Sequence, residues 1–196
     1  MKKSTLTIII VVAVIALVAL WMALSYNKMV STEEAVTTSW ANVESQYQRR
    51  ADLIPNLVNT VKGYAAHESE TLQAVVDARS KATSIQIDPT NMTPEQFAEY
   101  QKAQNEVGSA LGRLIAVAEN YPDLKANQNF LELQQQLEGT ENRIQYARSE
   151  YNKAVQAYNT LIRKFPTNLL SSMFGFERME KFEAAEGAEN APTVEF

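Results

Sequence analysis

Ile8 to Leu24 is a run of 17 residues without a polar side chain, and Leu6 extends it past Thr7. As a helix rising ~1.5 Å per residue it spans roughly 26 Å, close to the ~30 Å hydrocarbon core of a bilayer. Trp21 and Tyr26 stand at its C-terminal end, where aromatic rings favour the lipid–water interface. Ala23-Leu24-Ser25 weakly resembles a signal-peptide cleavage site. The run is longer than the ~7–15 apolar residues of such a signal, and bulky Trp21 and Met22 precede the cut. The pattern predicts an uncleaved anchor meeting the lipid bilayer through residues 6–25. Lys2, Lys3 and the α-amino group lie before it and only Lys28 lies close behind. This one-charge bias favours a cytoplasmic N-terminus and an exported bulk.

Behind the anchor, apolar positions recur at alternating intervals of three and four. One series is Val36, Trp40, Val43, Tyr47, Ile54, Leu57, Val61, Tyr64, Leu72 and Val75. A second is Phe97, Tyr100, Val107, Leu111, Leu114, Ala118 and Tyr121. A third runs from Phe130 through Leu137, Ile144, Tyr151, Val155 and Tyr158 to Phe165. Each is one stripe of an amphipathic helix with bundle-type spacing. No stretch alternates with period two, so no sheet is expected. The fold predicted is all-α: a transmembrane helix followed by an antiparallel bundle of three to four long helices.

Five of the six prolines punctuate this pattern. Pro89 and Pro94 bracket a loop, Thr93-Pro94-Glu95-Gln96 reads as an N-cap with a capping-box glutamine, Pro122 ends the second helix and Pro166 the third, which restarts near Asn127. Pro55 falls inside a stripe whose phase does not change across it, so a kinked continuous helix is expected rather than a break. That first helix is then about 55 residues and roughly 80 Å long, and it outreaches the other two. The seam left near the membrane predicts self-association or a tightly held envelope partner, with Trp40 and Tyr47 near the contact. The alternative is that Pro55 breaks the helix and Val36–Tyr47 folds back onto its own bundle.

Residues 169–176 form a short apolar patch for packing against the bundle end or for membrane contact. From Glu177 onward six Glu face Arg178 and Lys181, a net of −4 with few apolar residues, which predicts a disordered tail. The expected domains are therefore 1–27 (flank and anchor), 28–176 (bundle) and 177–196 (acidic tail).

Composition narrows the function. The absence of Cys excludes disulfides, thiolate metal sites and cysteine nucleophiles, and a single His excludes any site needing two imidazoles. The net charge of −5 with pI about 5.1 argues against nucleic acid. No Gly-x-Ser-x-Gly elbow or phosphate-binding loop occurs. His67 lies near Glu70, but a bundle di-iron site needs two Glu-x-x-His motifs, so a surface histidine is expected. Arg49, Arg50, Asp52, Asn56 and Asn59 crowd Pro55, where they are expected to satisfy carbonyls that the proline frees or to meet a partner. Glu141 borders the third seam, with Arg143 and Arg148 nearby, and predicts an ion pair inside or beside the bundle. Glu138, Asn142, Gln145, Ser149, Asn152, Gln156 and Asn159 make a polar stripe, read as a solvated face or a surface for another helix. Gly108-x-x-x-Gly112 predicts close helix packing.

Several long strings carry a family resemblance: Tyr26-Asn27, Trp40, residues 48–58 (QRRADLIPNLV), residues 61–65 with His67-Glu68, residues 118–127 (AENYPDLKAN), residues 139–144 (GTENRI), Tyr151-Asn152, Tyr158-Asn159, Phe174-Gly175-Phe176 and Ala191-Pro192. They resemble the LemA family over nearly the whole chain. The resemblance implies a bacterial single-pass membrane protein with an antiparallel bundle of about four helices. It brings no settled biochemical activity. The function expected is a membrane-anchored scaffold or adaptor of the cell envelope, without catalysis, cofactor, metal or small-molecule substrate. The alternative is a regulatory or sensory subunit, with a hydrolase or metal enzyme least favoured. Candidate interaction residues are Trp40, Tyr47, Arg49, Arg50, Asp52, Asn56, Glu141, Asn142 and Arg143.

Overall fold

A computed structural model describes residues 3–183. Six helices follow one another: α1 (Lys3–Lys62), α2 (Ser69–Ser84), α3 (Pro94–Ala118), α4 (Pro122–Lys125), α5 (Gln128–Arg163) and α6 (Thr167–Phe174). Among the described residues there is no strand. Residues 1–2 and 184–196, which carry part of the N-terminal charge bias and most of the expected acidic tail, lie outside them.

The anchor and the first bundle helix are one uninterrupted element, since α1 runs 60 residues and passes through Pro55. Its leading part is bare: Ile8, Ile15, Leu17 and Leu24 are each more than 60% exposed. From Met29 onward one apolar stripe is buried, through Val36, Trp40, Val43, Tyr47, Ile54, Leu57 and Val61. Pro55 has no N–H for the carbonyl of Ala51, four residues back. Arg79 of α2 supplies the missing donor, its Nε–H reaching that oxygen at 2.7 Å.

The stripe from Val36 to Val75 is two helices rather than one. α1 stops at Lys62, the chain turns through residues 63–68, and α2 carries Leu72 and Val75 back along α1 and α3. The seven-residue register survives this reversal, so phase alone does not reveal it. Tyr121 donates to Glu68 and Asn127 donates to the Tyr64 hydroxyl, each at 2.9 Å, tying the turn to the far end of the bundle. His67 sits exposed in this turn and outside any helix, so the helical pairing with Glu70 does not exist.

The capping signals are met. Thr93 and Gln96 form the reciprocal box that starts α3, and the side chain of Asn127 accepts from the Phe130 amide to start α5. The bundle part of α1, with α2, α3 and α5, makes four antiparallel layers around two apolar clusters. The cluster nearer the bare N-terminal half of α1 centres on Trp40, Tyr151 and Tyr158. The distal one centres on Leu57, Leu114 and Leu124.

Two further expectations are corrected. Gly112 has nothing within 4 Å of an added Cβ, and one at Gly108 would make only ordinary contact with Arg50 at 4.0 Å. The glycine pair therefore marks no close helix approach. Residues 177–183 are also no solvated tail. Past Gly175, whose left-handed φ of 76° ends α6, the chain doubles back along α5 as an extended strap. Met179 and Phe182 are buried there. Two apolar residues three apart suffice to seat a strap that average composition marks as polar.

Candidate functional site

Between the two apolar clusters lies a belt of polar side chains, one from each of three helices. Arg50 of α1 is 3% exposed. Its Nη1 donates to Glu141 Oε1 of α5 at 2.8 Å. Its Nη2 donates to the backbone and side-chain oxygens of Gln104 in α3 at 3.0 and 2.7 Å. A buried guanidinium needs such partners, because removing the charge from water is costly unless its donors are met. Glu141 thus pairs with Arg50 from another helix, rather than with Arg143 or Arg148 of its own. The pairing fixes the axial register of α1, α3 and α5, the role for which buried polar groups are best attested.

Tyr47 joins the belt from the side of the Trp40 cluster. The guanidinium carbons of Arg50 and Arg148 lie 5.2 and 5.5 Å from its ring centre, and Arg148 Nε donates to its hydroxyl at 2.6 Å. Burial pushes the Tyr47 phenol above its usual range, against the lowering effect of Arg148.

Trp40 and Tyr47 are core residues, 3% and 5% exposed. The seam expected to be wet is covered from within. At 36 residues α5 runs back along the whole bundle half of α1, and Ile85, Ile87 and Met92 of the loop before α3 pack on the same cluster. Trp40 contacts Phe97, Tyr100, Tyr151 and Phe182, with the Phe182 ring stacked at 5.9 Å and 12°. Val36–Tyr47 does lie within its own bundle, but not through the expected break, since α1 runs on through Pro55.

The other candidates remain at the surface. Arg49, Asp52 and Asn56 are exposed on α1, and Asn142 and Arg143 on α5. Asp52 accepts from Gln48 at 2.7 Å, and as a carboxylate it has no donor for the Ala51 carbonyl. Arg49 is next to Arg50 in sequence, Asn142 and Arg143 follow Glu141 on α5, and Asn56 lies about 9 Å further along α1.

The polar stripe of α5 is not simply solvated. Asn152 and Asn159 each exchange two hydrogen bonds with the strap backbone, at Phe182 and Met179 respectively. Sequence reasoning assigned neither residue this task. Their spacing of seven, each directly after a tyrosine, was the available signal.

Where the bare segment of α1 enters the bundle, Tyr26 lies 5.0 Å from Phe174 and 5.7 Å from Phe176, ring centre to ring centre. α6 buries Leu170 and Ser171 against the bundle and leaves Leu169, Met173 and Phe174 exposed, with Phe165 just before it. A cleft of about 1170 Å³ opens between Glu33, the Pro89–Pro94 loop, Tyr158 and the start of the strap. It is lined by scattered carboxylates and amides. Among the described residues no group of three His, Asp or Glu side chains is placed to hold a metal.

The LemA family profile matches residues 39–196. The chain is 30% identical over 195 residues to Magnetosome protein MamQ 2 of Paramagnetospirillum magneticum, covering 91% of this chain and 71% of that one. Magnetosome protein MamQ of Magnetospirillum gryphiswaldense is 27% identical over 201 residues, with coverage of 93% and 74%. Protein LemA of Metamycoplasma hominis is 24% identical over 160 residues, with coverage of 82% and 69%.

Proposed function

The chain belongs to the LemA family of membrane-associated proteins, and on that premise we propose that it is a single-pass, membrane-anchored helical scaffold or adaptor without catalytic activity. The observation that carries this reading is the continuity of α1. One helix leaves a bare apolar segment and enters a buried seam with no linker between them. The bundle is thereby held at the membrane, and its exposed faces are available to a partner. The apolar side of α6, beside Tyr26, sits where the span ends and fits the interfacial layer of the same bilayer. Arg49, Asp52, Asn56, Asn142 and Arg143 are the polar surface offered at belt level, either to a second copy or to another envelope protein.

A regulatory or sensory subunit is the second reading, favoured by the same continuity, since a tilt of the span would move the bundle with it. The plasma membrane of a bacterial cell, with the N-terminus cytoplasmic and the bundle exported, is the location proposed. The absence of Cys makes orientation readable. Asn142→Cys should react with an impermeant maleimide in intact spheroplasts, and protection until lysis would reverse the topology. For the function, a photo-crosslinker at Arg49 or Arg143, followed by mild-detergent capture and mass spectrometry, should return one recurring adduct. Uniform background at both positions would count against an adaptor.

A further inference from the structure

We propose that the face of α5 carrying Asn152 and Asn159 is a peptide-recognition site, held in this structure by the chain's own residues 179–183, and that it takes from a partner protein an extended segment with an apolar residue followed three positions later by phenylalanine.

The geometry is that of backbone reading. Asn159 donates to the carbonyl of Met179 at 2.8 Å and accepts from the Met179 amide at 3.0 Å. Asn152 does the same at Phe182, both bonds at 2.9 Å. A carboxamide offers one donor and one acceptor side by side, matching the N–H and C=O of one residue in an extended chain. The spacings agree as well. Seven residues of α-helix rise ~10.5 Å, and three residues of extended chain span roughly 10 Å. The two asparagines are therefore in step with residues three apart on a straight segment. Tyr151 adds a hydroxyl to the carbonyl of Glu180 at 3.1 Å, and Gln101 of α3 donates to that of Glu183 at 3.0 Å.

Two side chains are read besides the backbone. Phe182 lies in a box formed by Trp40, Phe97 and Tyr151, at centroid distances of 5.9, 5.0 and 5.5 Å, with the Arg148 guanidinium 4.9 Å from its ring centre. Met179 is the second buried anchor, at 6% exposure. The strap belongs to no helix and no sheet, and Gly175 sets the turn that brings it back. Its grip thus comes from side chains on a preformed helix face, so a segment from outside meets the same donors and acceptors. Residues 177–183 carry Glu177, Glu180 and Glu183 against Arg178 and Lys181, and Lys153 of α5 is paired with Glu150 of its own helix at 2.7 Å. The partner segment is accordingly defined by its two apolar anchors and its backbone rather than by its charge. This gives the scaffold reading a partner chemistry without depending on it, because the test uses the purified chain alone.

The test is peptide binding to the full chain in lipid nanodiscs. The probe is a fluorescent, end-capped heptapeptide of residues 177–183. Phe182→Ala and, separately, Met179→Ala loosen the strap in cis. Either variant should bind the probe at least tenfold more tightly than the unsubstituted chain, and adding Asn152→Ala should abolish the gain. A probe with alanine at the phenylalanine position should not bind. Hydrogen exchange on the unsubstituted chain gives an independent reading. The Met179 and Phe182 amides should open locally, at least tenfold faster than those of Val155 and Tyr158 in α5. Exchange of strap and helix amides together would make the strap a fixed part of the fold and overturn the proposal, whether or not the variants fold. Folded variants that ignore the probe would overturn it too.

Discussion

Arg50 and Glu141 share one ion pair at 2.8 Å on unequal terms: the arginine side chain is 3% exposed and the glutamate side chain 41%. The glutamate keeps water as an alternative partner and the arginine does not. Truncating the two should therefore have different effects. Arg50→Ala also strands the Gln104 side chain and opens a cavity between the clusters, and should lower stability by about 3–5 kcal/mol. Glu141→Ala should lower it by about 1–2 kcal/mol, since Arg50 retains Gln104. Urea unfolding of both variants measures the contrast, and equal losses would contradict the asymmetric account.

Arg79 and Pro55 form a second coupled pair, through the carbonyl of Ala51. Arg79→Ala should destabilise by about 1.5–3 kcal/mol, the range for a hydrogen bond from a charged group. In a Pro55→Ala background the helix regains its own donor to that carbonyl, so the same substitution should matter less than half as much. A double-mutant cycle measures this. Additive losses would mean that Arg79 acts by something other than repairing the helix.

Trp40→Ala should behave as a core truncation. We expect a loss of about 3–5 kcal/mol with no change in the mass of the detergent-solubilised particle by light scattering. A change in mass with little loss of stability would restore Trp40 to an intermolecular contact.

Acid titration separates two carboxylates by sign. Burial raises Glu33, beside Tyr158, above its ordinary 4.5. A raised folded value gives a contribution that is full below the unfolded value and is lost as pH rises through the folded one. Glu33→Gln should therefore exceed the parent in stability near neutrality, and the gap should close as pH falls through the raised folded value towards the ordinary 4.5. The Thr90 hydroxyl and amide and the Asn91 amide hold Asp88 below its ordinary 3.8. Its contribution is present above that value and is lost as pH falls through the folded one. The advantage of the parent over Asp88→Asn should accordingly persist at neutral pH and shrink below about pH 4. Parallel curves for both variants would remove the assignment.

The bundle was legible because its signals are local. Thr93 and Gln96 sit three apart, Asn127 precedes an apolar run, and each stripe repeats within its own helix. The turn after Lys62 was not, because Leu72 and Val75 keep the register of α1 after the chain has reversed. Periodicity records which side of a helix is apolar and is silent about direction. The partner of Arg50 was equally hidden, being 91 residues away in sequence. Asn152 and Asn159 look like surface amides until the strap is laid on them, and the strap looks like a tail because only two of its residues are apolar. Trp40 reads as a contact residue from its stripe alone, because the stripe does not reveal that α5, at 36 residues, reaches back to cover it.

The unbroken α1 has a geometric consequence for a crowded membrane. From Tyr26, at the end of the span, to Arg50 is 24 residues of helix, or about 36 Å along its axis. With no hinge residues between span and bundle, every copy carries its polar belt at one fixed altitude. Two such molecules, anchored in one bilayer as proposed above, would meet belt to belt. Their encounter is a search over position and rotation in a plane, with height and register already set.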